Sequence, residues 1–159
     1  MALEIERKFL VKGDGWRSLV RETLDFRQGY LHANPSLAVR VRRSAGEAFL
    51  TIKGAQDGIS RLEFEYPIPV ADAEAMLDHL CRKPIIEKRR HIVPLGAHTW
   101  EIDVFYGANE GLVLAEIELS SPDEAFERPD WLGEEVSADP RYYNAALNER
   151  PYREWKDRG

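Results

Sequence analysis

The sequence lacks the features that disulfide-linked, membrane-spanning and nucleic-acid-binding proteins require. Its single cysteine, Cys81, cannot form an intrachain disulfide, and no cysteines and histidines have the spacing of a zinc site. No apolar run approaches membrane-spanning length, and Glu4, Glu6 and Arg7 occupy the stretch where a signal peptide needs an apolar core. A formal net charge of −6 argues against general binding to nucleic acid or to an anionic membrane. We therefore expect a cytoplasmic protein.

The composition is that of an ordinary globular domain. The chain has 159 residues, of which 43% are hydrophobic and 31% charged, so it can bury one core and does not have the composition of a disordered chain. No linker, internal repeat or low-complexity tract divides it. The sequence therefore predicts a single domain over residues 1–159.

Strand-like segments dominate the chain. Eight stretches alternate apolar and polar residues or are rich in β-branched and aromatic residues, with turn-forming residues between them. These stretches are residues 3–11, 26–31, 37–43, 48–54, 61–68, 85–93, 99–106 and 112–119. Several connections, at residues 44–46, 54–60, 94–98 and 107–111, are too short for a crossover helix, which indicates antiparallel hairpins. We predict a mainly β fold with flanking helices.

Helical signals are fewer. Residues 70–82 are predicted to form a helix that ends before Pro84. Five apolar residues lie on one stripe of this helix: Ala73, Met76, Leu77, Leu80 and Cys81. Asp14 is expected to cap a short helix over residues 16–20. Ser121-Pro122 and Asp139-Pro140 each place a capping residue before a first-turn proline, and the second pair predicts a helix through residues 142–150.

The polar faces of the predicted strands carry pairs of like charge. Alternate residues of a strand share a face and lie roughly 6–7 Å apart. On an ordinary solvated face the signs mix and uncharged polar residues dilute the charge, because like charges side by side repel. Here like-charged pairs recur opposite apolar faces: Glu4 and Glu6, Arg40 and Arg42, Glu63 and Glu65, Lys88 and Arg90, Glu101 and Asp103, and Glu116 and Glu118.

Such pairs need partners that offset the repulsion. Acidic pairs are stabilised by a hard divalent cation such as Mg²⁺ or Mn²⁺. Basic pairs are stabilised by a polyanion, and arginine suits bidentate contacts with phosphate. If the sheet closes with its ionic face inward, both sets line one lumen and the helices cover the apolar outer face. The pattern indicates a site for a metal-bound oligophosphate; the structural alternative is a β-sandwich or barrel with an unusually charged solvent face.

A series of short motifs runs along nearly the whole chain, beginning with E-x-E-x-K at Glu4 to Lys8. It continues with QGYL (28–31), VRVR (39–42), TIKG (51–54), LEFEYPI (62–68), IEKRRHIV (86–93), EIDVF (101–105), AEIEL (115–119) and DPRYYNAAL (139–147). With these motifs in this order, the sequence resembles the CYTH domain family, also called triphosphate tunnel metalloenzymes. The resemblance implies the family's fold, a closed antiparallel eight-stranded β-barrel that forms a tunnel.

The resemblance also implies roles for individual residues. Those implied to bind the triphosphate are Lys8, Arg40, Arg42, Lys53, Lys88 and Arg90. Those implied to bind metal, Mg²⁺ or Mn²⁺, or metal-bound water are Glu4, Glu6, Asp103, Glu116 and Glu118. Some family members use a tyrosine and a lysine as a catalytic pair, and the matching residues are Tyr30 and Lys53. Three further acids match the tunnel wall without assigned partners: Glu63, Glu65 and Glu101.

The implied activity is divalent-metal-dependent cleavage of the terminal phosphate of a short triphosphate. Inorganic triphosphate is the favoured substrate, because the chain is compact and the aromatic residues expected in the lumen are few: Tyr30, Phe49 and Phe105. Thiamine triphosphatase and class IV adenylate cyclase are the alternative activities within the family. A non-catalytic polyphosphate- or nucleotide-binding module is a further alternative, which the number of acids disfavours. The sequence leaves open a homodimer, and whether residues 144–159 close the tunnel.

Overall fold

A computed structural model describes residues 3–155, apart from the side chain of residue 149, as nine strands and two α-helices. The helices are α1 (Val70–His79) and α2 (Asn144–Glu149). The strands are β1 (Leu3–Val11), β2 (Glu22–Asn34), β3 (Leu37–Ser44), β4 (Glu47–Gly54), β5 (Ser60–Pro67), β6 (Ile86–Leu95), β7 (His98–Tyr106), β8 (Val113–Glu118) and β9 (Leu132–Glu135). The eight segments predicted from alternation coincide with β1 to β8.

Strands β1 to β8 form a closed antiparallel barrel. The order around it is β5-β4-β3-β2-β6-β7-β8-β1, and the circuit closes where residues 3–5 of β1 pair with residues 60–62 of β5. Strand β9 lies outside this circuit, against the C-terminal part of β1. The predicted closed eight-stranded β-barrel is confirmed.

The barrel interior holds the ionic face of the strands. Lys8, Lys88, Asp103 and Glu116 are buried, which is uncommon for charged residues unless they are paired. The strand register supplies the pairing, since Lys8 lies opposite Glu116 between β1 and β8 and Arg90 lies opposite Asp103 between β6 and β7. The face that the sequence predicted to look inward therefore does so.

Helix α1 and the loops cover much of the apolar outer face. Ala73 and Leu77 of α1 form a buried cluster with Val41 of β3. Elsewhere on the barrel, the ring of Trp100 packs edge-on against Trp131 at 5.5 Å between ring centroids. Burying these side chains on the outside leaves the lumen to polar groups.

The C-terminal segment closes one end of the barrel. Lumen-facing residues at that end are apolar, and Ile86, Phe105 and Leu114 form one buried cluster with Tyr142 and Leu147 from the segment. The lumen is thus a cup at this end, which answers the question that the sequence left open for residues 144–155.

The predicted C-terminal helix forms in two pieces. A 3₁₀ turn at Pro140–Tyr142 begins at Asp139, whose Oδ1 accepts a hydrogen bond from the backbone N–H of Arg141 at 3.1 Å. Tyr143 is extended, with φ −71° and ψ 138°, so the chain leaves the turn before α2 begins at Asn144. The capping residue was therefore predicted correctly, and the continuous helix was not.

The other helix predictions hold in part. Helix α1 ends at His79, three residues before the predicted end. Residues 17–19 form a 3₁₀ turn to which Asp14 contributes its backbone carbonyl and not its side chain. At Ser121 only a turn forms, and the Glu124 carboxylate accepts from the backbone N–H of Ser120 and contacts the ring of His98. No helix within residues 3–155 is long and apolar enough to cross a membrane.

Strand β9 was not predicted. It spans four residues without clear alternation, and it runs so close to β1 that a Cβ on Gly133 would lie 2.8 Å from the carbonyl oxygen of Leu10. Just after β9, the backbone N–H of Val136 donates to the carbonyl of Lys8 at 2.8 Å, and the N–H of Lys8 donates to Ser137 Oγ at 2.8 Å. The strand therefore supports β1 at the position of Lys8.

Candidate active site

A cavity of about 620 Å³ lies inside the barrel, and all eight barrel strands contribute to its lining. Every predicted site residue except Asp103 lines it: Glu4, Glu6, Lys8, Tyr30, Arg40, Arg42, Lys53, Lys88, Arg90, Glu116 and Glu118. The three acids without assigned partners, Glu63, Glu65 and Glu101, line it as well. The fold brings these residues together, and the role of each stays a prediction.

Glu6 and Glu118 lie opposite each other in the pairing of β1 with β8. Neither carboxylate has an ion pair among residues 3–155. Burial, together with the neighbouring Glu116 and Glu4 carboxylates, raises the pKa of Glu6 to about 8. Two opposed acids without counter-ions form an arrangement that a bound cation would stabilise.

Glu4 is held by a lysine on β4, which is two strands from β1 around the barrel. Lys53 Nζ donates to Glu4 Oε1 at 3.1 Å and lies 3.8 Å from Glu63 Oε1. Burial raises the pKa of Glu4 against the attraction of Lys53, and Glu63 raises it further. Two acids therefore share one ammonium group at this point.

Lys8 connects the acids to the C-terminal segment. Its Nζ lies 3.5 Å from Glu116 Oε1 and donates to the carbonyl of Tyr142 at 3.2 Å. Although burial acts in the opposite direction, Lys8 lowers the pKa of Glu116 to about 2. Glu116 is therefore ionised and already paired before any ligand enters.

Asp103 departs from its expected role. It has no exposed surface; its Oδ2 accepts from Lys88 Nζ at 2.7 Å, and its Oδ1 accepts from Arg90 Nε at 2.8 Å. Although burial alone would raise it, Arg90 and Lys88 hold the pKa of Asp103 well below its usual range. Because both oxygens are occupied by cations, Asp103 is placed as a shared counter-ion of the basic wall and not as a free metal ligand.

Arg42 differs from the other basic residues in its partners. Of the six residues implied to bind triphosphate, it alone lacks a carboxylate within 4.0 Å in the described chain. Its Nε donates to Gln28 Oε1 at 2.8 Å, and its guanidinium lies 4.3 Å from the ring centroid of Phe26. Burial, with Arg40 and Arg90 nearby, lowers the pKa of Arg42 to about 9. Its positive charge is thus uncompensated and lies at the cavity wall.

The expected pair of Tyr30 and Lys53 is not joined by a hydrogen bond in the described residues. Lys53 Nζ bonds Glu4, and its position on β4 faces Ala38. Tyr30 faces Arg40 across the β2–β3 pairing, where a register shift follows, and it packs in the buried cluster at the closed end. The pairing therefore remains a hypothesis that this arrangement does not support.

Three uncharged residues of the site were missed by sequence reasoning. Phe26 lies below both Arg42 and Arg90, at 4.3 and 5.1 Å from its ring centroid. Gln28 is fully buried beside it, and Asn144 lines the cavity from the start of α2. Phe26 and Gln28 have the same strand parity as Tyr30, so alternation could have placed them on the lumen face. No sequence pattern would have placed Asn144 there, because it follows a turn.

The CYTH domain model matches residues 2–148, which is most of the chain. The chain belongs to the CYTH family. Two relatives within it are described as inorganic triphosphatases, and this CYTH protein is similar to both over nearly its full length. It is 49% identical to the one from Acetivibrio thermocellus over 157 residues, 99% of this chain and 100% of that protein. It is 41% identical to the one from Nitrosomonas europaea over 150 residues, 91% of this chain and 95% of that protein.

The CYTH barrel is also similar to solved structures. One crystal structure of an inorganic triphosphatase is 39% identical, with a TM-score of 0.66, and the match covers 93% of this chain and 95% of that one. The agreement covers the barrel and the C-terminal segment together, since so little of either chain is left out.

The CYTH residues fit a hard divalent cation by their donor chemistry. Carboxylate oxygens are the ligands that Mg²⁺ and Mn²⁺ prefer, and neither Glu6 nor Glu118 forms an ion pair within the part of the chain that the structure describes. In residues 3–155 no three acidic, histidine or cysteine side chains already surround a common point. Glu4 is paired with Lys53, and Glu116 is paired with Lys8. These two acids would bind a cation only if their lysines first exchanged the carboxylate for another anion.

Proposed function

We propose that this CYTH protein is an inorganic triphosphatase that requires Mg²⁺ or Mn²⁺. The names of the two full-length relatives support the substrate. The observation that carries the proposal is the opposition, within one cavity, of an uncompensated guanidinium on Arg42 and two uncompensated carboxylates on Glu6 and Glu118. A metal-bound triphosphate supplies both missing partners, because its oxygens suit the arginine and its cation suits the acids.

The residues of the basic wall would bind the phosphates. Phosphoryl transfer asks a protein for positioning and charge neutralisation more than for covalent chemistry. Lys8 and Lys53 are paired with acids now, and a triphosphate with its cation would let each lysine exchange its carboxylate for a phosphate oxygen. Bound at Glu6 and Glu118, the cation would neutralise phosphate charge and supply an oriented water.

Few aromatic faces in the described lumen are free, which favours a substrate without an organic group. Tyr30 and Tyr143 line the cavity, and Lys8 Nζ lies 5.6 Å from the Tyr143 ring centroid. Phe26 lies below Arg42 and Arg90, and Phe105 lies 5.4 Å from Lys88 Nζ. Their faces are therefore engaged by cations and are not free to stack on a base or a thiazolium ring. Thiamine triphosphatase and class IV adenylate cyclase remain the alternative activities that a substrate panel separates.

The test is phosphate release from a panel of inorganic triphosphate, thiamine triphosphate and ATP with Mg²⁺ or Mn²⁺. We expect inorganic triphosphate to be cleaved fastest, to pyrophosphate and phosphate, and EDTA to abolish turnover. Glu135→Gln, which removes a surface acid paired with Arg7, is the control and should match wild type. Cyclic AMP as the main product from ATP, or turnover that resists EDTA, would overturn the proposal.

We also propose that the protein acts in the cytoplasm, where its lone buried thiol, Cys81, needs no partner.

A further inference from the structure

A pair of side-chain amides joins the basic wall to the C-terminal segment. Gln28 Oε1 accepts from Arg42 Nε at 2.8 Å, and Gln28 Nε2 donates to Asn144 Oδ1 at 2.9 Å. The same Asn144 oxygen accepts from Lys88 Nζ at 3.0 Å. An arginine of β3 and a lysine of β6 are therefore held through one chain of two neutral groups.

The partners fix the orientation of both amides. Arginine and lysine side chains donate hydrogen bonds and accept none, so the atoms that meet Arg42 and Lys88 must be the amide oxygens. With those oxygens placed, the Gln28 amide nitrogen is the donor to Asn144. Gln28 has no exposed surface, so water does not substitute for any of these contacts.

The chemistry of these two residues matters because of what surrounds them. The other basic residues of the wall are oriented by carboxylates, which also cancel part of their charge. An amide oxygen orients a cation as a carboxylate does but carries no net charge, so the cation stays available to an anion. Arg42, whose side-chain acceptor is Gln28, is the triphosphate-binding candidate that retains its full charge.

We infer that Gln28 and Asn144 are positioning residues: Gln28 holds Arg42 toward the substrate phosphates without neutralising it, and Asn144 orients Gln28 and Lys88. The inference rests on the proposed function, because it assigns the two amides to phosphate binding. The inference predicts that phosphate binding depends on the absence of charge on the Gln28 and Asn144 amides and not on their shape.

Isosteric variants separate charge from shape. Gln28→Glu keeps the size and the acceptor for Arg42, adds a negative charge and loses the donor to Asn144, whereas Gln28→Met keeps the size and removes both hydrogen bonds. If Gln28 only holds Arg42 in place, Gln28→Glu should be the milder change. We expect the reverse: a KM for inorganic triphosphate raised about tenfold or more in Gln28→Glu and about threefold in Gln28→Met, with kcat changed less than KM.

Asn144 offers the same comparison at a half-buried position that tolerates charge more easily than Gln28 does. Asn144→Asp should raise KM more than Asn144→Ala, because the new carboxylate competes with phosphate for Lys88. If Gln28→Glu fails to fold, as judged by thermal unfolding, the Asn144 pair decides the question. The matched control is Ser18→Asp, which adds the same charge at an exposed position outside the cavity lining and should change KM less than about twofold.

Binding is measured alongside turnover. Calorimetric titration of pyrophosphate in EDTA gives the affinity of the basic wall whether or not the enzyme turns over, and the order of the variants should be the same as for KM. Equal KM and affinity in the Glu and Met variants, or an equally large effect in Ser18→Asp, would overturn the inference. Loss of turnover in the wild type with pyrophosphate affinities in the expected order would instead count against the proposed activity alone.

Discussion

Single side chains in the barrel differ in whether the folded chain balances their charge. Lys88, Arg90 and Asp103 form a closed set in which every charge has a partner, whereas Glu6 and Arg42 have none among the described residues. Ionisable groups that lie in a cavity without a partner are candidates for contact with a ligand, and both Glu6 and Arg42 are half-buried in the cavity lining. The residues that lack ion-pair partners, and not the number of charges, therefore indicate where a ligand binds.

Glu6 makes the effect of a divalent cation depend on pH. Its pKa is raised from the ordinary value of 4.5 to about 8 in the folded chain, so without metal the folded state loses stability as the pH rises from about 4.5 to about 8. A cation that binds the ionised carboxylate removes this loss. We expect the rise in Tm caused by Mg²⁺ to be larger near pH 9 than near pH 6 by several degrees, measured by thermal unfolding. In Glu6→Gln the Mg²⁺ effect should shrink and lose its pH dependence; an unchanged dependence would show that Glu6 is not the group involved.

Which residues line the lumen was predictable, and which residues they contact was not. Alternation alone fixes the face of Glu4, Glu6, Arg40 and Arg42, because the side-chain period of a strand is two. The sequence carries no signal that Asp103 faces two cations, since strand-to-strand register decides it. For the same reason, the sequence did not reveal that Gln28 accepts a hydrogen bond from Arg42.

Individual elements set how firmly those side chains are held. Strand β9 and the residues after it bond both backbone groups of Lys8, through Val136 and Ser137, so a short outer strand supports an inner lysine. A four-residue strand with a glycine at its second position has no periodicity to detect, which is why the sequence did not reveal it. The barrel strands were detected because each runs for six residues or more.

Gly133 in β9 tests this support. Alanine there would place its Cβ 2.8 Å from the carbonyl oxygen and 3.0 Å from the carbonyl carbon of Leu10, both backbone atoms that move only with β1. We expect Gly133→Ala to destabilise the fold by about 1–3 kcal/mol, which lowers Tm by roughly 2–4 °C for each kcal/mol. Gly15→Ala is the control, because nothing lies within 4 Å of a Cβ at Gly15, and its Tm should stay close to wild type. Equal Tm values for the two variants would contradict the close approach of β9.

The molecule as a whole is acidic outside and carries a mixed ionic site inside. The net charge of −6 belongs to the entire chain, yet seven basic residues line the cavity. Bulk charge argues against a general polyanion binder and says nothing about the lumen, because a closed barrel separates its interior from its surface. The closure itself followed from the sequence, whereas the apolar plug of Tyr142 and Leu147 had no pattern to predict it.

The plug determines how a long substrate can enter. Tyr142 and Leu147 pack with Phe105 and Leu114 across the end of the barrel, so a chain of phosphates cannot thread through and must insert one terminus from the other side. We expect that any turnover of long-chain polyphosphate shortens it from its ends, releasing phosphate while the length distribution shifts smoothly downward. Gel electrophoresis of the polyphosphate during the reaction, with inorganic triphosphate as the control substrate, measures this. Fragments of intermediate length appearing before free phosphate would mean that the chain passes through the barrel, and that the packing at Leu147 opens in solution.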